Sequence, residues 1–198
     1  MNSVTAPRSL ILASTSKYRK MLLQRLALPF DCKSPQTDET AGTNEAPADL
    51  VSRLATQKAL VVANNNPSAI VIGSDQLAVF EERVVGKPGN HETALQQLLS
   101  FSGQSIEFLT AVTVFCREIG FYEQYTDCTR VCFRSLEQDE IERYLHQEKP
   151  YDCAGAFKAE ALGITLFESI KSDDPTALIG LPLIQTAAML RKAGLLAP

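Results

Sequence analysis

Short apolar runs alternate with polar turns along this chain, and most runs show a clear strand or helix period. Leu10-Ile11-Leu12-Ala13 predicts a short buried strand running into the polar turn Ser14-Thr15-Ser16. A helix follows with Tyr18, Leu22 and Leu26 on one stripe, ending near Leu28-Pro29. Residues 34–46 read as polar loop. Pro47 suits the first turn of a second helix, whose stripe runs Val51, Leu54, Ala55, Lys58, Val61 and Val62 until Asn64-Asn65-Asn66-Pro67 ends it. Ile70-Val71-Ile72 predicts a buried strand that stops at Gly73-Ser74-Asp75-Gln76. Residues 77–80 and 83–85 predict a hairpin about Glu81-Glu82, closed by Gly86-Lys87-Pro88. Downstream the pattern predicts a helix over 92–100, long strands over 106–116 and 121–133, and an acidic helix over 137–147. A strand over 164–170 and a helix over 182–192 close the chain. This order predicts an α/β fold with a mixed sheet and α+β character, with a cleft between two lobes as the natural site.

Length and composition narrow the picture. The chain's 198 residues suit a single domain over 1–198 that buries roughly 70% of its unfolded surface. With 45% hydrophobic and 21% charged residues, disorder is excluded. A net charge of −4 argues against a general binder of nucleic-acid polymers or anionic membranes. No apolar run approaches the ~20 residues of a membrane span, and Leu10–Ala13 is too short for a signal-peptide core. The 5 cysteines form no Cys-x-x-Cys pair, and only His91 and His146 could join them, so a structural zinc site is not expected. Free thiols in a reducing cytoplasm are the simplest reading.

The charged residues supply the candidate chemistry. Ser14, Ser16 and Arg19 surround a helix N-terminus, whose unpaired N–H groups attract anions; alone, Ser16 is as easily a plain N-cap. Lys58 falls on the core-facing stripe of its helix, so it either snorkels to solvent or aims at an anion in a cleft. Asp75 follows Gly73 at an expected strand end, where α/β folds place reacting groups and where turns also form. Asp38-Glu39 is either solvated charge or part of an oxygen-ligand magnesium site. Lys87 sits in a rigid Gly-Lys-Pro turn. Lys158 and Glu160 would share one side of an extended segment, either as a weak ion pair or as site residues. Several cations and carboxylates on turns suit a metal–polyphosphate site.

In these pieces the sequence resembles the Maf family of nucleoside triphosphate pyrophosphatases. The matching segments are Ser14-Thr15-Ser16-Lys17-Tyr18-Arg19, Asp38-Glu39, Lys58-Ala59, Gly73-Ser74-Asp75-Gln76, Gly86-Lys87-Pro88 and residues 154–160, in family order. The resemblance implies a two-lobed fold related to the inosine triphosphate pyrophosphatases, commonly a homodimer. It also implies hydrolysis of a nucleoside triphosphate to the monophosphate and pyrophosphate with Mg²⁺ or Mn²⁺. On that reading Asp75 is the proton acceptor, helped by Lys58 and Lys87, while Glu39 and Asp75 hold the metal. Ser14, Ser16, Arg19 and Lys158 then bind phosphates.

Tyr18, Gln76 and Glu160 are similar to the branch of that family that acts on 7-methyl-GTP, although that branch often has tryptophan at the Tyr18 position. An aromatic face attracts the cationic 7-methylguanine by roughly 0.5–2 kcal/mol, and a carboxylate accepts bonds from the guanine edge. Tyr18 also shares a stripe with Leu22 and Leu26, which by itself favours core packing. The competing expectations are a dTTP/UTP pyrophosphatase of the same family and a non-catalytic nucleotide-binding regulator of cell division.

Overall fold

The computed structural model describes residues 8–195. The strands β1 (Leu10–Leu12), β2 (Asp31–Cys32), β3 (Ile70–Phe80), β4 (Arg83–Val85), β5 (Ser105–Cys116), β6 (Phe121–Phe133) and β7 (Phe167–Lys171) form one mixed sheet. Its order is β2-β1-β3-β5-β6-β7, with β4 paired to the far end of β3. β1 runs parallel to β2 and β3, and the other pairs are antiparallel. The helices are α1 (Lys17–Gln24), α2 (Pro47–Asn64), α3 (His91–Phe101), α4 (Gln138–Glu148) and α5 (Leu183–Lys192). Among the described residues no helix is long and apolar enough to cross a membrane.

Side-chain alternation along β3 divides the molecule. Ile70 and Ile72 join Leu10, Leu12, Val112 and Val114 in a core closed by Leu22 and Leu23 of α1 and Leu190 of α5. On the same face, farther along, Ala78 joins Phe108, Phe133 and Phe157 in a second core closed by Leu98 and Phe101 of α3 and Ile141 and Leu145 of α4. The opposite face belongs to α2, which packs Val51, Ala55, Ala59 and Val62 against Val71 and Ala111. The long strands therefore carry two hydrophobic masses. Between them lie the buried polar residues Ser74, Asp75 and Thr110.

Several expectations change. β3 does not stop at Gly73; it continues unbroken to Phe80, so Asp75 lies in mid-strand. Gly73 serves close packing, since a Cβ there would sit 2.2 Å from the Ala55 carbonyl oxygen and 2.6 Å from the Ala59 nitrogen. The stripe of α2 omits Val61, which is exposed, and includes Leu50, Ala59 and Ala63. The predicted strand over 164–170 starts late, because residues 162–166 form a 3₁₀ turn before β7. The short β2 escaped the pattern: two exposed residues have no period to read. The β3–β4 hairpin does turn at Glu81-Glu82, with φ of 49° and 62°, the positive values a tight mirror-image turn needs.

Candidate active site

The pairing of β3 creates the site. β1 pairs with Ile70–Ile72 and β4 pairs with Ala78–Phe80 along the same edge, so neither covers Ser74–Leu77. A cleft of about 930 Å³ opens at this gap, a volume in the range of small-molecule sites. Because the gap is an open edge, side chains from both sheet faces reach it. Ser14, Ser16, Tyr18, Arg19, Glu39, Lys58, Asp75, Gln76, Lys87, Lys158 and Glu160 all line the cleft. The structure thus brings together every residue singled out for chemistry except Asp38, whose Oδ1 accepts from the Thr40 N–H in a local turn.

Asp75 points toward α2, and the close approach at Gly73 delivers Lys58 to it. The Lys58 ammonium lies 2.6 Å from Asp75 Oδ1 and 2.6 Å from Glu39 Oε1. Both Lys58 and Asp75 are only 6% exposed, so the lysine does not snorkel away. The hydrogen bond from Lys58 holds the Glu39 carboxyl below its ordinary range, against partial burial, with Lys87 and Arg19 adding to the effect. Glu39 is placed by Arg53, which clamps Glu45 at 2.6 and 2.7 Å and donates to the Thr40 carbonyl. Arg53 was not legible as a site residue, because its partners lie in a loop without a period.

The side of the cleft that carries Arg19 is built on α1. Ser16 caps the helix by accepting from the Arg19 N–H, and Ser14 Oγ accepts from the Ser16 N–H. Arg19 Nε donates to the Gly180 carbonyl at 2.9 Å, which orients the guanidinium and leaves its Nη groups unbonded to the described residues. Burial lowers the Arg19 pKa from its ordinary value, while Asp75 and Glu39 oppose the shift.

Ser74 and Gln76 face the other side. Ser74 Oγ also donates to the Gly180 carbonyl, and Gln76 Nε2 donates to Thr110 Oγ1 and to the carbonyls of Ala177 and Leu178. Gln76 therefore shapes the pocket by holding the 177–180 turn. Thr110, which itself donates to Ala177, was missed; a threonine inside the apolar run over 106–116 was the available signal.

Tyr18 is half-buried at the cleft rim and does not belong to the cores. Its ring carries the Lys17 ammonium 4.9 Å from the centroid, and Lys17 in turn meets Asp152 at 3.3 Å. The Cys153 thiol donates to the Tyr18 hydroxyl at 3.6 Å. Burial is the main force pushing both the Tyr18 hydroxyl and the Cys153 thiol upward, the latter to about 11, so this thiol is no nucleophile at neutral pH. The described cysteines are free, as expected.

The extended segment expected to put Lys158 and Glu160 on one side does not form, and neither does the alternative ion pair between them. Residues 154–160 turn rather than extend, and Lys158 Nζ instead bonds Glu148 Oε1 at 2.9 Å and the Glu148 carbonyl at 3.0 Å. Burial works against the Lys158 charge, but Glu148 outweighs it and raises the pKa. Glu160 stays exposed at the cleft mouth.

A guanidinium held at a helix start, a buried lysine between two carboxylates, and an aromatic rim define one polar cleft. The chain matches the Maf-like protein family over residues 9–193 and belongs to it. It is 54% identical over 187 residues to the 7-methyl-GTP pyrophosphatase of Polaromonas sp., covering 94% of this chain and 85% of that protein. It is 50% identical to the protein of that name from Albidiferax ferrireducens (95% and 94% covered) and 52% identical to that from Xanthomonas axonopodis pv. citri (96% and 98%).

Proposed function

We propose that this protein hydrolyses 7-methyl-GTP, or a closely related modified nucleotide, to the monophosphate and pyrophosphate. The observation that carries the reading is the buried Asp75–Lys58 pair, joined by Glu39 and opening on the cleft. Asp75 orients and deprotonates the water that attacks the α-phosphorus. Lys58 and Lys87 offset the charge that develops on the phosphates, and Arg19, Ser14 and Ser16 hold the triphosphate at the start of α1. Lys158 is already held by Glu148, so it contributes positive potential near the phosphates more than a direct grip.

A divalent cation such as Mg²⁺ or Mn²⁺ fits the donor set. Glu39 and Asp75 each place one oxygen on Lys58, and their remaining oxygens make no hydrogen bond to the described residues, which suits a hard cation. Such an ion would bind the phosphates and withdraw charge from them.

The base is read by Tyr18 and Glu160. The Tyr18 ring already accepts a cation beside it in Lys17, the property a 7-methylguanine ring would use. Glu160, exposed at the mouth, accepts bonds from the guanine edge, while Gln76 fixes the pocket wall from behind. The names carried by the relatives point to the same substrate.

The test is pyrophosphate release measured as kcat/KM on 7-methyl-GTP, GTP, dTTP and UTP. The reading expects 7-methyl-GTP to be preferred. Glu160→Gln should cost that substrate about 1.5 kcal/mol, and UTP less. Release of orthophosphate, or a wild-type preference for dTTP or UTP, would refute it.

A further inference from the structure

A second cluster lies outside the cleft, where the N-terminus of α3 meets the C-terminal half of α4. His91 Nε2 lies 2.7 Å from Glu142 Oε2, and His146 Nε2 lies 3.7 Å from the same oxygen. The two imidazoles stand 5.0 Å apart at a 32° tilt. One donor atom from each of the three residues lies within 4.8 Å of the others, the one such group of three or more among the described residues. Tetrahedral ligands about 2.1 Å from a zinc ion are roughly 3.4 Å apart. Each separation here is within about 1.5 Å of that value, which side-chain rotation supplies, above all for the exposed His146.

The surroundings also fit a metal. His91 Nδ1 lies 3.0 Å from the Tyr151 hydroxyl. A metal-binding histidine usually fixes its other ring nitrogen on such an oxygen, which sets the tautomer and aims the free lone pair. Without metal, Nε2–H donates to the Glu142 carboxylate at 2.7 Å; a bound cation would take the place of that proton, with Nδ1–H then donated to Tyr151. Glu142 and His146 are four residues apart on α4 and share one of its faces.

We propose that His91, Glu142 and His146 form a binding site for a late first-row transition-metal cation of the Zn²⁺ type, with water completing the coordination. Two nitrogens and one carboxylate oxygen favour zinc, nickel or copper over magnesium. The all-oxygen pair Glu39 and Asp75 has the opposite preference, so the sites differ in chemistry as well as place. This inference does not depend on the reaction proposed for the cleft.

The site would fasten two cleft-lining segments. His91 follows the turn that carries Lys87, and Gly89 N–H donates to the Tyr151 carbonyl at 3.0 Å. Tyr151 leads directly into Asp152 and Cys153, which hold Lys17 and Tyr18. Bound metal would brace the Lys87 turn and the Tyr18 rim through one joint.

The experiment is titration of tag-free protein with Zn²⁺ by calorimetry, followed by Co²⁺ absorption, without nucleotide. Wild type should bind one Zn²⁺ and show the strong visible bands of tetrahedral Co²⁺. His146→Ala should weaken binding at least tenfold, His91→Ala roughly a hundredfold and Tyr151→Phe about tenfold. Glu39→Gln should leave this binding unchanged. Zn²⁺ should also raise the Tm of wild type but not of His146→Ala, whose exposed position protects the fold. Absence of Zn²⁺ binding would overturn the proposal. Binding of undiminished affinity in His146→Ala, or binding that disappears in Glu39→Gln, would overturn it equally.

Discussion

Asp75 and Gln76 are neighbours in one strand, yet they live in different environments. Asp75 faces α2 and meets an ammonium that a second carboxylate also claims, so its charge is answered only by other charges. Gln76 faces the 177–180 turn and spends its amide on a hydroxyl and two backbone carbonyls. Charges held mainly by one another can rearrange around a polyphosphate and a metal. An amide committed to backbone groups fixes geometry instead. The α2 side of the cleft is thus held by mutually paired charges, and the opposite side by bonds to the backbone.

Variants on the two faces should separate accordingly. Asp75→Asn should lower kcat by roughly 10²–10⁴ while the folded state persists, as steady-state rates and circular dichroism would show. A variant with near-normal turnover would remove Asp75 from the chemistry. Lys58→Ala leaves a buried carboxylate with no ammonium, which costs about 3 kcal/mol where cleft water gives partial relief. Urea unfolding measures this, and an unchanged midpoint would mean the pair is solvated.

Gln76→Ala should act more gently and differently. Freeing the Leu178 carbonyl, while Ala177 keeps its bond from Thr110, should destabilise by about 1–2 kcal/mol and raise KM for every nucleotide, with kcat less affected. A pure kcat loss would place Gln76 with Asp75 after all. The smallest effect concerns the loop that carries Glu39. Arg53 pulls the Glu45 carboxyl from its ordinary 4.5 to about 2. Its pKa is depressed by folding, so the clamp's contribution is complete above about 4.5 and is lost as pH falls through about 2. Carboxylate NMR of Glu45 should show that midpoint, and Arg53→Ala should return it toward 4.5.

Much of this was written in the sequence where local rules decide. The acidic helix over 137–147 forms nearly where the pattern placed it, and the structure adds a capping box between Glu137 and Glu140. Lys58 on an apolar stripe left two readings, a snorkelling stem or a charge aimed into a cleft, and its burial beside Asp75 decides for the second. What escaped depended on contacts between distant segments. Gly73 looked like the end of a strand because only tertiary packing shows a helix backbone pressed against it. Lys158 found Glu148, and Arg53 found Glu45, across loops whose course no period describes. The meeting of His91 with Glu142 and His146 was hidden for the same reason, since one partner lies on another helix.

The gap in β3 pairing also has a kinetic side. β5 and β6 join locally, with Cys116 opposite Phe121, whereas β1 must wait for Leu10 to find Ile70 across α1 and α2. Pairings between remote segments close slowly, because loop entropy opposes them before any contact rewards them. Ser14, Ser16 and Arg19 follow directly on β1, so the proposed triphosphate grip would be assembled with the last strand to dock. A refolding chain should therefore regain its hairpin ellipticity before it binds a triphosphate analogue. Simultaneous recovery in stopped-flow traces would show that β1 docks early instead.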